Sequence, residues 1–363
     1  MLPPTVPGGI GARFSGASGR RRPRQSVGEE SAARPEHLFK SCHTNRISPA
    51  LTGDGVVGIV PIASEHAHAD HSEVDVTSAS QGTVQILTDS TSDIPQEDAR
   101  SAGITIVPAY VFFGEEQFHD GVSIGGAEFY RRLEEKTVVP KTAQPSPQDF
   151  ADAFSSLVPN GPVLALTVTS KLSGTYNSAL LGRDIVLESN PDAVIEVVDT
   201  LLVAMGLGQL VLGAARRAQE GMDIEELAAW ARDRASRTQM YIAVDTLEYL
   251  ARGGRIGKAQ SFLGGLLSIK PVLEFREGEL HPLERVRSRA KAHGVLETHL
   301  YGGNAAEDVA FGTTTDHERA AELAERAKSQ LQLDDIPVYS IGAAVGTYAG
   351  PGCIGVSFVV SGS

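Results

Sequence analysis

Cysteine is scarce. Two residues, Cys42 and Cys353, in a chain of 363 leave neither a disulfide framework nor a zinc-ligand spacing. Positive charge is in deficit. There are 32 Lys and Arg against 45 Asp and Glu, a net charge of −13. That argues against nucleic-acid binding, which wants a basic face. Long hydrophobic runs are missing too. No window approaches the roughly 18 apolar residues of a membrane span, so no stable membrane insertion is expected. A charged start followed by an apolar core, the mark of a secretory signal, is also lacking. These absences together describe a soluble, cytoplasmic protein. What is present agrees: 41 % hydrophobic and 21 % charged residues are ordinary for a globular chain, and the length allows two domains.

Residues 1–82 lack periodicity. "GARFSGASGRRRPRQ" and "SEHAHADHSEVDVTSASQG" are polar and aperiodic, and neither carries enough apolar surface to fold alone. The expectation is a disordered tail or an over-long start. The next methionine after Met1 is Met205, so a shorter product would begin at a non-Met codon, for example at Val74 or Val84. His66, His68 and His71 read as tail residues rather than metal ligands.

From residue 83 apolar runs alternate with helical patterns. "VQILTDS", "PVLALTV" and "AVIEVVDT" read as buried strands. "SDIPQEDARSAG" reads as a helix capped by Ser92 or Asp93 and ended by Gly103. "SPQDFADAFSSLV" reads as a helix capped by Ser146, and "SGTYNSALLGRDIVLES" as one starting near Ser173. "ITIVPAYVFF" is a strand or strand pair. This alternation predicts an N-terminal doubly wound, mostly parallel α/β domain over 83–244. Beyond it the pattern mixes hairpins with helices, predicting a second, α+β domain over 245–363. Glu277-Gly278 separates two alternating runs as a hairpin turn. "FLGGLLSI" reads as an apolar helix, and "PVYSIGAAVGTYAGPGCIGVSFVV" as two strands around a Gly-Pro-Gly turn.

"VLALTVTSKLSGTYNSALLG" ends a buried strand in small hydroxyls at the mouth of a helix. Ligands of doubly wound sheets bind beyond the carboxyl ends of the strands. A helix N-terminus there favours an anion. Ser170, Ser173 and Thr175 add hydroxyls without charge. That set suits one small carboxylate better than a triphosphate, which wants cationic clamps and Mg²⁺. "KTAQPSPQDF" supplies a second set; Thr142 lies just before Pro145, in chain that should be extended. Capping alone would explain the same residues.

Six stretches then stand in a telling order: "ILTDSTSDIP", "KTAQPSP", "LTVTSKLSGTYNSA", "VDTLLVAMGLG", "DTLEYLARGGRIGKAQSFLGGLLSIKPVLEFREGEL" and "GPGCIGV". Over Val84 to Val360 the chain resembles the DegV family. The resemblance implies a two-domain α/β protein that encloses a long-chain fatty acid between its domains. It also implies a role as the acyl-binding subunit of a bacterial fatty acid kinase, whose ATP-binding subunit phosphorylates the bound carboxylate. On that resemblance Thr142 and Ser173 would hydrogen-bond the carboxylate, with Gly174 and Ser170 beside them. Arg252, Arg255 and Tyr348 would face the partner or a phosphate. No cofactor is implied beyond the lipid itself. Burying about fourteen methylenes at roughly 0.8 kcal/mol each gives on the order of 10 kcal/mol before ordering costs, so the head group needs orientation more than affinity. "FLGGLLSI", "AYVFF" and "LLVAMGLG" are candidates to line the tail slot. Three positions depart from the family. Ala143 stands where many members have Ser, Tyr348 where many have His, and Thr313 or Thr314 where many have a second His. Ala143 removes a hydroxyl from the first loop, and the missing His at Tyr348 bears on phosphorylation rather than on fatty-acid binding.

A serine-dependent lipid esterase at the same pocket, with Ser173 or Ser123 as nucleophile, is the alternative. "GVSIG" matches a hydrolase elbow in letters, but a polar turn precedes Ser123 where the elbow needs a strand. "MGLGQLVLG" lacks dinucleotide-binding spacing. Asp89, Ser90 and Ser92 lack the acidic neighbours that a magnesium-dependent phosphoaspartate site would need.

Overall fold

A computed structural model describes residues 82–135, 138–264, 269–303 and 306–361. The expectations for the tail, its histidines and Cys42 fall outside the described residues. The strands in chain order are β1 (Gln85–Asp89), β2 (Ile104–Val107), β3 (Tyr110–Phe113), β4 (Glu116–His119), β5 (Lys141–Ala143), β6 (Val163–Thr167) and β7 (Ile195–Asp199). They continue with β8 (Thr238–Ala243), β9 (Lys270–Arg276), β10 (Glu279–Val286), β11 (Ala306–Thr313), β12 (Val338–Ser340) and β13 (Ile354–Val360).

The first sheet has the order β2-β1-β6-β7 and is parallel throughout. Its strands are apolar on both sides because both faces are covered. Ile86, Leu164, Leu166 and Val198 face one core, while Leu87, Val163, Ala165 and Val197 face another. Helices Pro147–Leu157 and Thr175–Ser189 close the second of these faces. Helices Ala204–Gln219 and Ile224–Arg237 close the first. Ser146 caps its helix as the sequence predicts, in a reciprocal pair with Asp149.

The larger sheet has the order β10-β9-β8-β13-β11-β12 and is antiparallel except for β11 with β12. Helices Arg289–Tyr301 and His317–Leu331 cover its outer face. Its inner face shares one core with the first sheet, through helix Ala204–Gln219. That helix is apolar nearly all round because a sheet lies on each side. A Cβ on Gly206 would come within 2.6 Å of Met240 Sδ, and one on Gly208 within 2.6 Å of the Ser92 carbonyl. The α/β plus α+β class stands. The second sheet begins ahead of the 244/245 division expected from sequence, because helix Ile224–Arg237 ends directly into β8.

Local chemistry explains several details. Glu277 (φ 54°) and Gly278 (φ 79°) make the left-handed two-residue turn of the β9–β10 hairpin. "ITIVPAYVFF" is a strand pair split between sheets: β2 joins the parallel sheet, and β3 centres a small antiparallel sheet, β4-β3-β5. Register places Thr142 on β5 beside Val111.

Four expectations change. Ser92 is fully buried and Asp93 turns left-handed (φ 53°), so Pro95 occupies the N-cap of helix Gln96–Ser101. The helix expected near Ser173 starts at Thr175 with Gly174 at the cap. "FLGGLLSI" is no α-helix as far as it is described: Gly257–Phe262 is a 3-10 turn, and 265–268 lie outside the described residues. A helix, Ala343–Ala349, lies between β12 and β13 where only a turn was expected. Its small residues give no helical stripe to read. What holds it is tertiary: Asp93 Oδ1 accepts from the Gly342 N–H (2.8 Å) and Asp120 Oδ1 from the Ala343 N–H (2.9 Å).

Candidate functional site

The loops after β1 and β6, strand β5, the helix Ala343–Ala349 and the inner face of the larger sheet surround one cavity. It encloses about 920 Å³ of space, part of it open to solvent. Val168, Val203, Ile242, Val244, Leu273 and Phe275 make much of its wall. Sheet alternation explains this: Ile242 on β8 pairs with Leu273 on β9, so both point the same way. Thr91, Thr142, Gln144, Ser173, Thr175 and Tyr348 supply polar atoms, and among the described residues Arg255 is the one charged side chain in the lining.

The polar groups are wired to one another. Thr142 Oγ1 and Tyr348 Oη lie 2.6 Å apart, across 206 residues of chain. Ser173 Oγ and Thr175 Oγ1 lie 2.8 Å apart, and the Thr175 N–H donates to Ser173 Oγ at 3.3 Å. Ser173 therefore stands one residue before the cap of the 15-residue helix Thr175–Ser189, with its hydroxyl at that helix's positive end. Arg255 donates to the Leu172 carbonyl (3.1 Å) and the Gly253 carbonyl (2.8 Å), and its guanidinium stands 5.0 Å from the centre of the Tyr348 ring. Tyr348 lies so close on Gly253 that a Cβ there would meet the ring at 2.3 Å.

Beneath this polar end is a set of buried acids. Asp89 accepts from the Thr91 and Val168 N–H groups and so ties the loop after β1 to the loop after β6. Burial raises its pKa despite those bonds. Asp120 is pushed up to about 6 by burial, against the hydrogen bonds it accepts from Ser90 and the amides of Ala343 and Ala344. Asp93 is raised well above the usual range by burial and then by the charge of Asp120. Asp93 and Asp120 hold the first residues of the helix that carries Tyr348.

The seven residues singled out from sequence divide. Thr142, Ser173, Arg255 and Tyr348 line the cavity. Gly174 caps the helix behind Ser173, against the Gln144 amide. Ser170 is exposed and gives its N–H to Asp199 (3.0 Å), away from the lining. Arg252 is exposed, 3.5 Å from Glu248 and stacked on the Tyr249 ring. Tyr348 is half-buried, with its hydroxyl 2.6 Å from Thr142 Oγ1. Thr313 and Thr314 are buried against the Cys353 carbonyl rather than in the cavity. Ser123 is exposed on a turn and accepts from the His119 N–H.

Of the tail-slot candidates, "AYVFF" contributes Ala109 and "LLVAMGLG" contributes Val203, while the described part of "FLGGLLSI" contributes nothing. Sequence reasoning missed the β8–β10 face (Ile242, Leu273, Phe275, Leu280) and Gln144. Alternation marks those strand residues as buried without saying whether a core or a cavity receives them. Among the described residues no group of His, Cys, Asp and Glu is arranged to hold a metal ion, and no helix is long and apolar enough to cross a membrane.

A parallel α/β layer and a mixed sheet enclosing an apolar slot, with hydroxyls at one helix mouth, define a two-sheet small-molecule-binding architecture. The chain belongs to the DegV family, whose model of uncharacterised proteins matches residues 83–361. A DegV domain-containing protein of Caldanaerobacter subterraneus is 36 % identical over 279 residues, covering 76 % of this chain and 98 % of that protein. Among solved structures, a fatty-acid-binding DegV family protein of Thermus thermophilus is 33 % identical with a TM-score of 0.71, over 77 % of this chain and all (100 %) of that one. A stearic acid-binding protein of Eubacterium ventriosum is 30 % identical with a TM-score of 0.71, over 76 % and 98 % of the two chains.

Proposed function

We propose that this chain is a cytoplasmic carrier of one long-chain fatty acid. The carboxylate is held by Thr142 and Ser173 at the mouth of helix Thr175–Ser189. The acyl chain lies on Val168, Val203, Ile242 and Leu273, so the first sheet supplies the head-group loops and the larger sheet covers the tail. The observation that carries the reading is the combination of an apolar cavity with a hydroxyl cluster and Arg255, the one cation in its lining among the described residues. Fatty-acid binding by two relatives of the same fold supports it. A carboxylate there meets a helix N-terminus and hydroxyl donors, which orient it at modest desolvation cost.

The esterase alternative lacks its chemistry. A serine nucleophile needs a base within hydrogen-bond reach. Ser173 is bonded to Thr175, and among the described residues the lining contains no His, Asp or Glu. Presentation of the carboxylate to an ATP-binding kinase subunit belongs to the same proposal. Arg252 is its contact candidate, being exposed one residue from Gly253, on which Tyr348 packs.

The test is native and denaturing mass spectrometry of the purified protein with lipid extraction. One fatty acid per chain, lost in the Thr142→Ala/Ser173→Ala double variant, is the expected result. A protein that arrives empty and takes up no added fatty acid refutes the proposal.

A further inference from the structure

A second cavity lies behind the first. It encloses about 1210 Å³, part of it open to solvent, between the loop after β7, the end of helix Ile224–Arg237, the start of β8 and the tip of the β9–β10 hairpin. Its wall is mixed where the first is mostly apolar: Thr200, Arg232, Ser236 and Gln239 line it together with Leu202 and Met240. One residue lines both cavities, Phe275.

Phe275 is 4 % exposed and sits in the middle strand of three, opposite Met240 on β8 and Leu280 on β10. Leu280 lines the first cavity and Met240 the second. The neighbours Leu202 and Val203 divide in the same way, Leu202 on the second cavity and Val203 on the first. The partition is therefore one aromatic ring seated beside a single backbone step. An alkyl chain gains about fourfold in affinity for each methylene it buries, at ~0.8 kcal/mol apiece.

We infer that Phe275 is the partition that limits acyl-chain length, closing the apolar slot against a second cavity of mixed lining that longer chains would otherwise enter. The inference rests on the fatty-acid reading above. It identifies a specificity-determining residue that touches the tail and leaves the head group untouched.

The experiment measures affinity for the saturated acids from dodecanoic to docosanoic, by displacement of a fluorescent fatty acid. The wild type is compared with Phe275→Ala, Phe275→Leu and Ser236→Trp, after urea unfolding has shown which variants are folded. In the wild type, affinity climbs about fourfold per methylene to a cut-off and then stops. In Phe275→Ala or Phe275→Leu the cut-off moves at least two carbons longer, and the first acid beyond the wild-type limit gains at least tenfold. Ser236→Trp changes only the wall of the second cavity and leaves the wild-type cut-off where it is. An unmoved cut-off in a folded Phe275 variant overturns the inference. So does a cut-off shortened by Ser236→Trp, since the tail would then already occupy the second cavity. A wild type that binds no acid of the series refutes the fatty-acid proposal itself, a result distinct from either.

Discussion

Asp120→Asn changes how stability depends on pH. Asp120 is 2 % exposed; Oδ2 accepts from Ser90 Oγ at 2.9 Å and Oδ1 from the Ala343 N–H at 2.9 Å. Burial lifts its pKa from 3.8 to about 6. At 1.36 kcal/mol per pH unit that rise is worth about 3 kcal/mol. The folded pKa lies above the unfolded one, so the folded state holds the proton more tightly. The stabilisation is complete below the unfolded pKa of 3.8 and is lost as pH rises through about 6. Asparagine cannot titrate and keeps a carbonyl for Ala343. Unfolding by urea, followed at several pH values from about 4 to about 7, should therefore show wild-type stability falling relative to the variant by about 3 kcal/mol. Asp93 acts in the same direction, since loss of the Asp120 charge lowers its raised pKa as well. A difference that stays flat, or a wild type that gains on the variant as pH rises, would refute the reasoning.

The Thr142–Tyr348 contact should appear as coupling. Thr142→Ala and Tyr348→Phe each cost about 1 kcal/mol in urea unfolding, and the double variant costs less than their sum by about the same amount. Strict additivity would mean the 2.6 Å contact contributes nothing. Gly182→Ala should destabilise by about 1–3 kcal/mol even though alanine is the better helix former. Its Cβ would lie 2.6 Å from Phe150 Cβ and 2.8 Å from the Pro147 carbonyl, forcing two helices apart. A raised melting temperature would contradict that packing. Phe150→Ala should cost about 3–5 kcal/mol by chemical denaturation, since its ring is fully buried between the same helices.

Much of the first sheet was legible because its signals are local. Doubly buried strands read as short apolar runs, Ser146 reads as a cap, and Glu277-Gly278 reads as a primed turn. The place of Ser173 at a helix mouth was legible for a related reason, whereas Thr142 sits in the middle of β5, in chain that only Pro145 marked as extended. The helix Ala343–Ala349 was not legible. It is short, its residues are small, and two carboxylates more than 200 positions away hold its first turn. The sequence by itself determined the element types, the parallel βα order, the hairpin and the hydroxyls at the helix mouth, since propensity and periodicity act over a few residues. Only the tertiary structure decided that Tyr348 closes on Thr142, that Arg255 lies inward and Arg252 outward, and that Phe275 lines two cavities. Those facts depend on which strands become neighbours and how two sheets share one helix, and no local pattern encodes that.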